Sequence, residues 1–373
     1  MQRSTRFIWI LLASLIGVLP MCGCGSDDET TTGPPPPPAD WTKVSGHDIN
    51  DEIHDLICYE GDLICAGDFT EVGDRAINHI VRWTGDAWHG LGSGLTGGVP
   101  TAVWSLALYN EGLIVAGNFS EAGGVAANNI ARWDGSAWHA LGTGLTKEEQ
   151  QQDLTEISLV VYGTTLIAGG NFDTAGGMAA AGLAQWDGTS WSPLATELNG
   201  SVYALAAVFG AGVIAGGSFS SVDSVAVHHL ASWDGEVWTS MGSGTNGPVR
   251  TLLEANGVLF AGGEFTEAGG VAANCVAQWT GTSWSPLGTG ANNDVLTLGY
   301  YDGTLWMGGQ FTEAGGVSAN RVARWRDGSW EALGSGMNDA VQALEKFDEE
   351  IIAGGAFTIA GASVVNRLAA WSD

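Results

Sequence analysis

Basic residues are scarce in this chain of 373 residues. Lys and Arg number 13 against 41 Asp and Glu, which gives a formal net charge of −28. Arg3 and Arg6 fall in an N-terminal leader, so the rest of the chain is poorer still in cations. Because proteins bind nucleic acid by displacing its counterions with cationic side chains, we predict no nucleic-acid partner. The acidity indicates solubility and points to no specific partner.

Cysteine is also sparse, with five in the chain, and two of them follow a targeting segment. The charged "MQRSTR" and the apolar "FIWILLASLIGVL" have the pattern of a secretory signal too short to span a bilayer. The following "PMCGCGSDDE" resembles a bacterial lipoprotein cleavage site, because the small Gly23 precedes Cys24. We predict a signal peptide at 1–23, a lipidated Cys24 with a proline-rich tether at 24–40, and a folded body at 41–373. The protein would cross the inner membrane and stay anchored by lipid, in the periplasm or at the cell surface.

Cys58, Cys65 and Cys275 are the cysteines beyond the leader. If Gly61 and Asp62 form a hairpin turn, Cys58 and Cys65 lie opposite each other and form a disulfide in an oxidising compartment. The alternative is a pair of buried thiols, since other copies of the repeat described next carry Val, Ala or Met at the Cys65 position. The sequence leaves both open.

Helical periodicity is missing outside the leader, and a sevenfold repeat takes its place. Each copy has a phenylalanine in a motif such as "AGDF" or "GGEF", and a tryptophan follows it after 14 residues. In six copies a second tryptophan follows five residues later. The phenylalanines are Phe69, Phe119, Phe172, Phe219, Phe265, Phe311 and Phe357. The first tryptophans are Trp83, Trp133, Trp186, Trp233, Trp279, Trp325 and Trp371.

Each copy contains four strand-like runs bounded by Gly, Asn and Asp. Four strands per unit of this length predict an all-β fold, a seven-bladed β-propeller of four-stranded blades. The seventh copy stops after Trp371, and the missing outer strand is found at the other end, in "ADWTKVSG". We therefore predict that the N-terminal strand with Trp41 pairs with the last blade and closes the circle.

The order of an apolar strand, a "GG" strand, an aromatic strand and a "W..L" strand resembles kelch-type propeller repeats. The "GGxFTxAGG…NxIARW" pattern is also similar to repeats of the fungal cortical cell-polarity marker family. The resemblance covers 41–373 and implies a β-propeller. It implies no particular activity, because kelch-type propellers serve both enzymes and binding proteins.

Two sets of loops share one face of such a propeller and form the candidate ligand face. They bring acids and amides together, a combination suited to a cation, a sugar or a basic peptide; the alternative is ordinary turn chemistry. The longest loop, 147–153, is a further candidate contact region. The candidate residues are Glu71, Glu121, Glu267, Glu313, Asn50, Asn199, Asn246, Asn292 and Asn338.

Catalytic and metal-binding motifs are missing. The chain has no HExxH, paired CxxC, GxSxG or DxDxDG pattern. Arg82, Arg132 and Arg324 belong to an outer strand, which leaves no arginine at a predicted inward site. We predict a non-catalytic binding scaffold for a protein or a glycan, without cofactor or metal. The alternatives are a hydrolase, lyase or oxidase on the loop-rich face, which titratable groups converging from three blades would favour, and a purely structural envelope protein.

Overall fold

The computed structural model describes residues 40–44, 48–147, 154, 156–208 and 210–372. The predicted signal peptide, Cys24 and the tether before Asp40 lie outside these residues, and so does most of the candidate contact loop, 148–153. Within the described ranges, no helix is long and apolar enough to cross a membrane.

The described residues fold into seven four-stranded antiparallel sheets, numbered here from 1 to 7 in chain order. Sheet 1 contains Ile53–Tyr59, Asp62–Gly67, Ile80–Trp83 and Trp88–Gly90. Sheet 2 contains Ala102–Tyr109, Gly112–Asn118, Ile130–Trp133 and Trp138–Ala140. Sheet 3 contains Ile157–Tyr162, Thr165–Gly170, Leu183–Trp186 and Trp191–Pro193. Sheet 4 contains Val202–Val208, Gly212–Gly217, Leu230–Trp233 and Trp238–Ser240. Sheet 5 contains Val249–Ala255, Val258–Gly263, Val276–Trp279 and Trp284–Pro286. Sheet 6 contains Val295–Tyr301, Thr304–Gly309, Val322–Arg326 and Ser329–Ala332. Sheet 7 contains Val341–Phe347, Glu350–Gly355, Leu368–Trp371 and Trp41–Lys43.

Sheet 7 contains both ends of the described chain. Its fourth strand is the N-terminal Trp41–Lys43, and Trp41 pairs with Trp371. The predicted pairing of the first strand with the last copy of the repeat is thus present in the structure. The Trp41 ring is 1% exposed, and its Nε1 donates a hydrogen bond of 3.2 Å to the carbonyl oxygen of Leu333 in sheet 6.

In sheets 1 to 6 a tight turn between the third and fourth strands sets the two tryptophans of the copy opposite each other. In "WDGSAW" the positive φ of 96° at Gly135 opens the turn, and Asp134 Oδ1 accepts the amide protons of Ser136 and Ala137. Trp133 then pairs with Trp138. Across the seven sheets the centroids of the paired indole rings lie 4.9 to 5.5 Å apart.

Burial between neighbouring sheets holds the structure together. The seven repeat phenylalanines are at most 2% exposed. Each hydrophobic cluster draws its residues mainly from two successive sheets, and one cluster joins Phe347 of sheet 7 to Ile53 of sheet 1. Outer tryptophans reinforce this packing: Trp138 Nε1 donates to the carbonyl oxygen of Leu91 in the preceding sheet, at 2.9 Å. Full burial of each large ring stabilises the fold by roughly 1.5–3 kcal/mol.

Short ribbons connect the second and third strands of every sheet. Each consists of two antiparallel strands of two residues. The additional strands Leu95–Thr96 and Leu145–Thr146 extend the second and third of these ribbons. The ribbon strands are Glu71–Val72 and Arg75–Ala76, Glu121–Ala122 and Val125–Ala126, Thr174–Ala175 and Met178–Ala179, Ser221–Val222 and Val225–Ala226, Glu267–Ala268 and Val271–Ala272, Glu313–Ala314 and Val317–Ser318, and Ile359–Ala360 and Ser363–Val364.

Candidate functional site

A β-bulge interrupts the first strand of six sheets. In each of these strands a Val or Ile is followed by one residue that has no partner on the second strand. The next residue pairs again, and a Leu comes directly after it at the same register in every sheet. Sheet 3 pairs without such a shift. A bulge turns a side chain out of the regular alternation, and bulges are common next to functional sites. The unpaired residues are His54, Trp104, Tyr203, Arg250, Leu296 and Gln342.

These six bulged residues line one pocket, which we call the central pocket. Glu156 and Ile157 of sheet 3 complete its lining, so that every sheet contributes. The pocket has a volume of about 360 Å³, which lies at the lower end of the range for small-molecule sites. The fold therefore directs a different side chain from each sheet into one concave site.

His54 is the centre of one half of the pocket. Its Nδ1 is hydrogen bonded to Gln342 Oε1, and its Nε2 lies 3.0 Å from Asp68 Oδ1. Gln342 Nε2 in turn donates to Glu52 Oε2 at 2.8 Å. Burial alone would lower the pKa of His54, but Asp68, Gln342 and Glu52 outweigh it and raise the pKa above its usual value.

Trp104 provides an aromatic surface beside His54. The centroids of the two rings lie 4.4 Å apart, with an interplanar angle of 32°. The indole Nε1 of Trp104 is inaccessible to solvent and has no hydrogen-bond partner among the described residues. A buried donor without a partner costs about 1–3 kcal/mol, so the position of this ring is not set by a hydrogen bond of its indole nitrogen.

Arg250 is the centre of the other half. Its Nη1 donates to Glu156 Oε1 at 2.7 Å and its Nε donates to Glu264 Oε1 at 2.6 Å. The guanidinium carbon lies 4.3 Å from the centroid of the Tyr203 ring, within the range of a cation–π contact. Burial raises the pKa of Glu156 in spite of the opposing charge of Arg250. Arg250 is thus held in place by two carboxylates and one aromatic face.

The five predicted asparagines lie outside the central pocket, and each acts as a structural latch: its side-chain amide hydrogen bonds to the ribbon of its own sheet. In sheet 5, Asn246 Oδ1 accepts the amide protons of Thr266 and Glu267, each at 2.9 Å, and its Nδ2 donates to Thr266 Oγ1. The other four make the same three bonds to the corresponding ribbon, with serine in place of both threonine and glutamate in sheet 4 and isoleucine in place of glutamate in sheet 7. These bonds give the side-chain amide groups of the five asparagines partners within their own repeats.

The four predicted glutamates are exposed at the ribbons and do not line the central pocket. In sheets 2, 3, 5 and 6 a ribbon glycine packs against the outer tryptophan of the same sheet; a Cβ placed on Gly123 would lie 2.4 Å from the Trp138 ring. Asn292 and Glu313 both line a separate pocket of about 380 Å³. The structure therefore does not gather these residues into a single site.

Comparisons with known proteins support a propeller fold. A model of the "Rax2 C-terminal beta propeller domain" matches residues 143–299. The WD40 β-propeller domain of Doa1 is similar in structure, with a TM-score of 0.56 and 13% identity over 90% of this chain and 98% of that one. The computationally designed Ika8 protein superimposes with a TM-score of 0.52 and 15% identity, over 90% and 100% of the two chains.

The extracellular domain of a putative hybrid two-component system from B. thetaiotaomicron is also similar. It has a TM-score of 0.52 and 11% identity, over 89% of this chain and 42% of that one. No curated protein matches the chain by sequence. This chain is an all-β, propeller-type repeat protein. That part of the resemblance to propeller repeats is confirmed.

Sequence reasoning missed the central pocket. The expectation that no arginine is directed inward is wrong, because the bulge directs Arg250 into the pocket. The sequence did contain a signal, in the motifs "VYAL", "VRTL", "VLTL" and "VQAL". The second residue of this motif is the bulged one, and it differs in every copy that has a bulge. The third residue of motifs such as "AGDF" and "GGEF" also varies. It supplies Asp68, which lies against His54, and Glu264, which lies against Arg250.

The predicted alignment of Cys58 with Cys65 is wrong. The turn is formed by Glu60 and Gly61, so Cys58 pairs with Leu63 and Cys65 with Leu56. Both thiols are free in the described structure, and Cys65 fills a fully buried slot. Burial raises the pKa of the Cys58 thiol to about 12. In addition, no group of three or more His, Cys, Asp or Glu side chains in the described part of the chain is arranged to hold a metal ion.

Proposed function

We propose that this chain is an extracytoplasmic lipoprotein, anchored at Cys24, that binds a glycan non-catalytically in the central pocket. The observation that carries this proposal is the set of bulged residues, which differ from sheet to sheet and converge on one concave site. Aromatic faces of Trp104 and Tyr203 suit the C–H faces of a sugar ring. Arg250, Gln342 and Glu156 offer donors and acceptors for its hydroxyl groups.

The shape of the site favours a glycan over a protein partner. A stable protein interface buries on the order of 1,200–2,000 Å², whereas a pocket of about 360 Å³ holds a small group. A protein would reach the pocket only with an inserted loop. We therefore propose one or two sugar units as the bound group.

The proposal includes the architecture that creates the site. Seven sheets of kelch-type strand order would be the blades of one closed ring, with the first strands lining the axis. The pairing of Trp41 with Trp371 and the cluster that joins Phe347 to Ile53 support closure. Closure would fix the distances between bulged residues, which a specific site requires.

A glycan array probed with the full chain in detergent tests the proposal. We expect binding to a restricted set of glycans, and at least a tenfold loss of affinity for Trp104→Ala and for Tyr203→Ala. Val364→Ala, at a side chain that is 66% exposed on a ribbon, is the matched control and should bind normally. Equal binding by all three variants would contradict the central pocket as the site.

The anchor has its own test. Mass spectrometry of the protein from a bacterial host should show diacylglycerol on Cys24, and Cys24→Ser should release the protein from the membrane fraction. Secretion of an unmodified wild-type chain would contradict the anchor.

An enzyme is the second candidate, because titratable groups from sheets 1, 3 and 5 meet in the pocket. His54 beside Asp68 resembles a general base with its orienting carboxylate, and Glu156 with its raised pKa suits a general acid. The measurement is turnover of the glycans that bind, with His54→Ala as the variant. Hydrolysis or elimination that this variant abolishes would replace the binding proposal.

A further inference from the structure

Two tyrosines fill the clefts between sheets 1 and 2 and between sheets 2 and 3. Tyr59 and Tyr109 each end the first strand of a sheet and are 7% and 5% exposed. The Tyr59 hydroxyl donates to the carbonyl oxygen of Glu111 at 3.3 Å, and the Tyr109 hydroxyl donates to that of Thr164 at 3.0 Å. Each acceptor is the second residue of the first hairpin turn in the following sheet.

A glycine in a second turn of the following sheet also borders each tyrosine hydroxyl. A Cβ built on Gly135 would lie 3.7 Å from the Tyr59 hydroxyl, and one built on Gly188 would lie 3.5 Å from the Tyr109 hydroxyl. Each phenol ring therefore spans the whole cleft, from its own first strand to two turns of the next sheet.

Sheet 4 has a valine at the same register. Val208 ends its first strand, as Tyr59 and Tyr109 end theirs. The cleft between sheets 4 and 5 is a cavity of about 310 Å³, and Ile214, Leu259 and Met241 contribute buried apolar side chains to its wall. The shorter side chain thus leaves a cavity where the other two clefts hold a ring.

The cavity is lined by the same two turn positions that border the tyrosine hydroxyls in the other clefts. Gly257 lines it at the turn position of Glu111 and Thr164. Gly281 lines it at the turn position of Gly135 and Gly188, and a Cβ built on Gly281 would meet no atom within 4 Å. The carbonyl position that receives a tyrosine hydroxyl elsewhere in the molecule is therefore retained, without the tyrosine.

We propose that the cleft between sheets 4 and 5 binds a small phenol, whose ring occupies the place of the missing tyrosine ring and whose hydroxyl donates to the carbonyl oxygen of Gly257. The volume lies at the lower end of small-molecule sites, which suits a single substituted ring. Trp279 also lines the cavity and provides an aromatic wall for that ring. This site is separate from the central pocket and does not depend on the function proposed there.

Isothermal titration calorimetry of the full chain with p-cresol tests the site. We expect saturable binding with a stoichiometry of one. Toluene should bind about fivefold more weakly, because it lacks a hydrogen bond with a net value of about 1 kcal/mol. Val208→Tyr should abolish p-cresol binding and raise the Tm by about 2 °C, since its ring fills the cavity.

The converse variant creates a second site. Tyr109→Val should empty the cleft between sheets 2 and 3, so that the variant binds two molecules of p-cresol; Tyr59→Val is the alternative if circular dichroism shows that Tyr109→Val does not fold. Absence of saturable binding by the wild type, or undiminished binding by Val208→Tyr, would overturn the proposal. Equal affinity for toluene and p-cresol would overturn the role of Gly257.

Discussion

Replacement of Glu345 by glutamine should stabilise the protein and flatten its stability above pH 5. Glu345 comes directly after Leu344 in the first strand of sheet 7, and every sheet has a leucine at the position of Leu344. At the register of Glu345 the other six sheets carry only uncharged residues, and burial raises the pKa of Glu345 to about 7. The residues at that register are Ile57, Ala107, Val160, Ala206, Leu253 and Gly299.

The sign and size of the effect follow from proton linkage. The carboxyl has a pKa of 4.5 when unperturbed, so the folded state binds the proton more tightly by about 2.5 pH units, or at most about 3 kcal/mol. This stabilisation is complete below about pH 4.5 and is lost as the pH rises through about 7. Partial exposure of the side chain reduces the figure to about 2 kcal/mol. Glutamine has no proton to lose, so Glu345→Gln avoids this loss.

Thermal unfolding by differential scanning calorimetry between pH 4.5 and 8 measures the effect. The Tm of Glu345→Gln relative to the wild type should increase with pH and reach a gain of about 3 °C at pH 8, given roughly 1.5 °C per kcal/mol for a chain of this size. Glu349→Gln removes the same charge from a side chain that is 96% exposed and should show no such trend. A Tm difference that stays constant with pH would refute the reasoning. The Tm of the variant itself should still decrease somewhat with pH, because burial also raises the pKa of Asp55 to about 7 in both proteins.

Three further predictions concern the latches, the closing strand and the thiols. Asn246→Ala removes three hydrogen bonds and should lower the free energy of unfolding in urea by about 1–3 kcal/mol; an unchanged value would exclude a latch role. Trp41→Ala should cost about 3–5 kcal/mol by the same measurement, because it empties a fully buried site between sheets 6 and 7; an unchanged value would contradict closure by this strand. Cys58 and Cys65 should resist iodoacetamide at pH 8 until the protein is denatured, because burial raises both thiol pKa values; a Cys58–Cys65 disulfide in the native mass spectrum would contradict the free thiols.

The fold was predictable from the sequence because its main determinants are local and repeated. The five-residue spacing of Trp133 and Trp138 fixes a two-residue turn, and the turn fixes the pairing of the rings. The spacing between Trp371 and the N-terminal Trp41 extended the same rule across the ends of the chain, and the two residues pair as predicted. Each inference needed only the period of a strand and the geometry of a turn.

The central pocket was not predictable by those rules. A bulge adds one residue to a strand without changing its apolar character, so Arg250 reads as an ordinary strand residue in "VRTL". Its inward direction depends on the register against the second strand, which forms only in the folded sheet. The hydrogen bonds of the asparagines were not predictable for a related reason: Asn246 faces a ribbon some 20 residues away in the chain, and that contact satisfies its amide group.

The copies agree where the sheets touch and differ where the pocket forms. A Cβ on Gly216 would lie 2.7 Å from Val249 Cγ1, so glycine is required at that contact between sheets 4 and 5. One residue beyond Val249, the bulge leaves Arg250 without a partner on the second strand, and Arg250 lines the pocket. A change of side chain at a bulge therefore alters the pocket, while the close glycine–valine contacts between sheets stay as they are. This separation of stability from recognition explains how a repeat with fixed spacings can surround a site that has a different residue at every position.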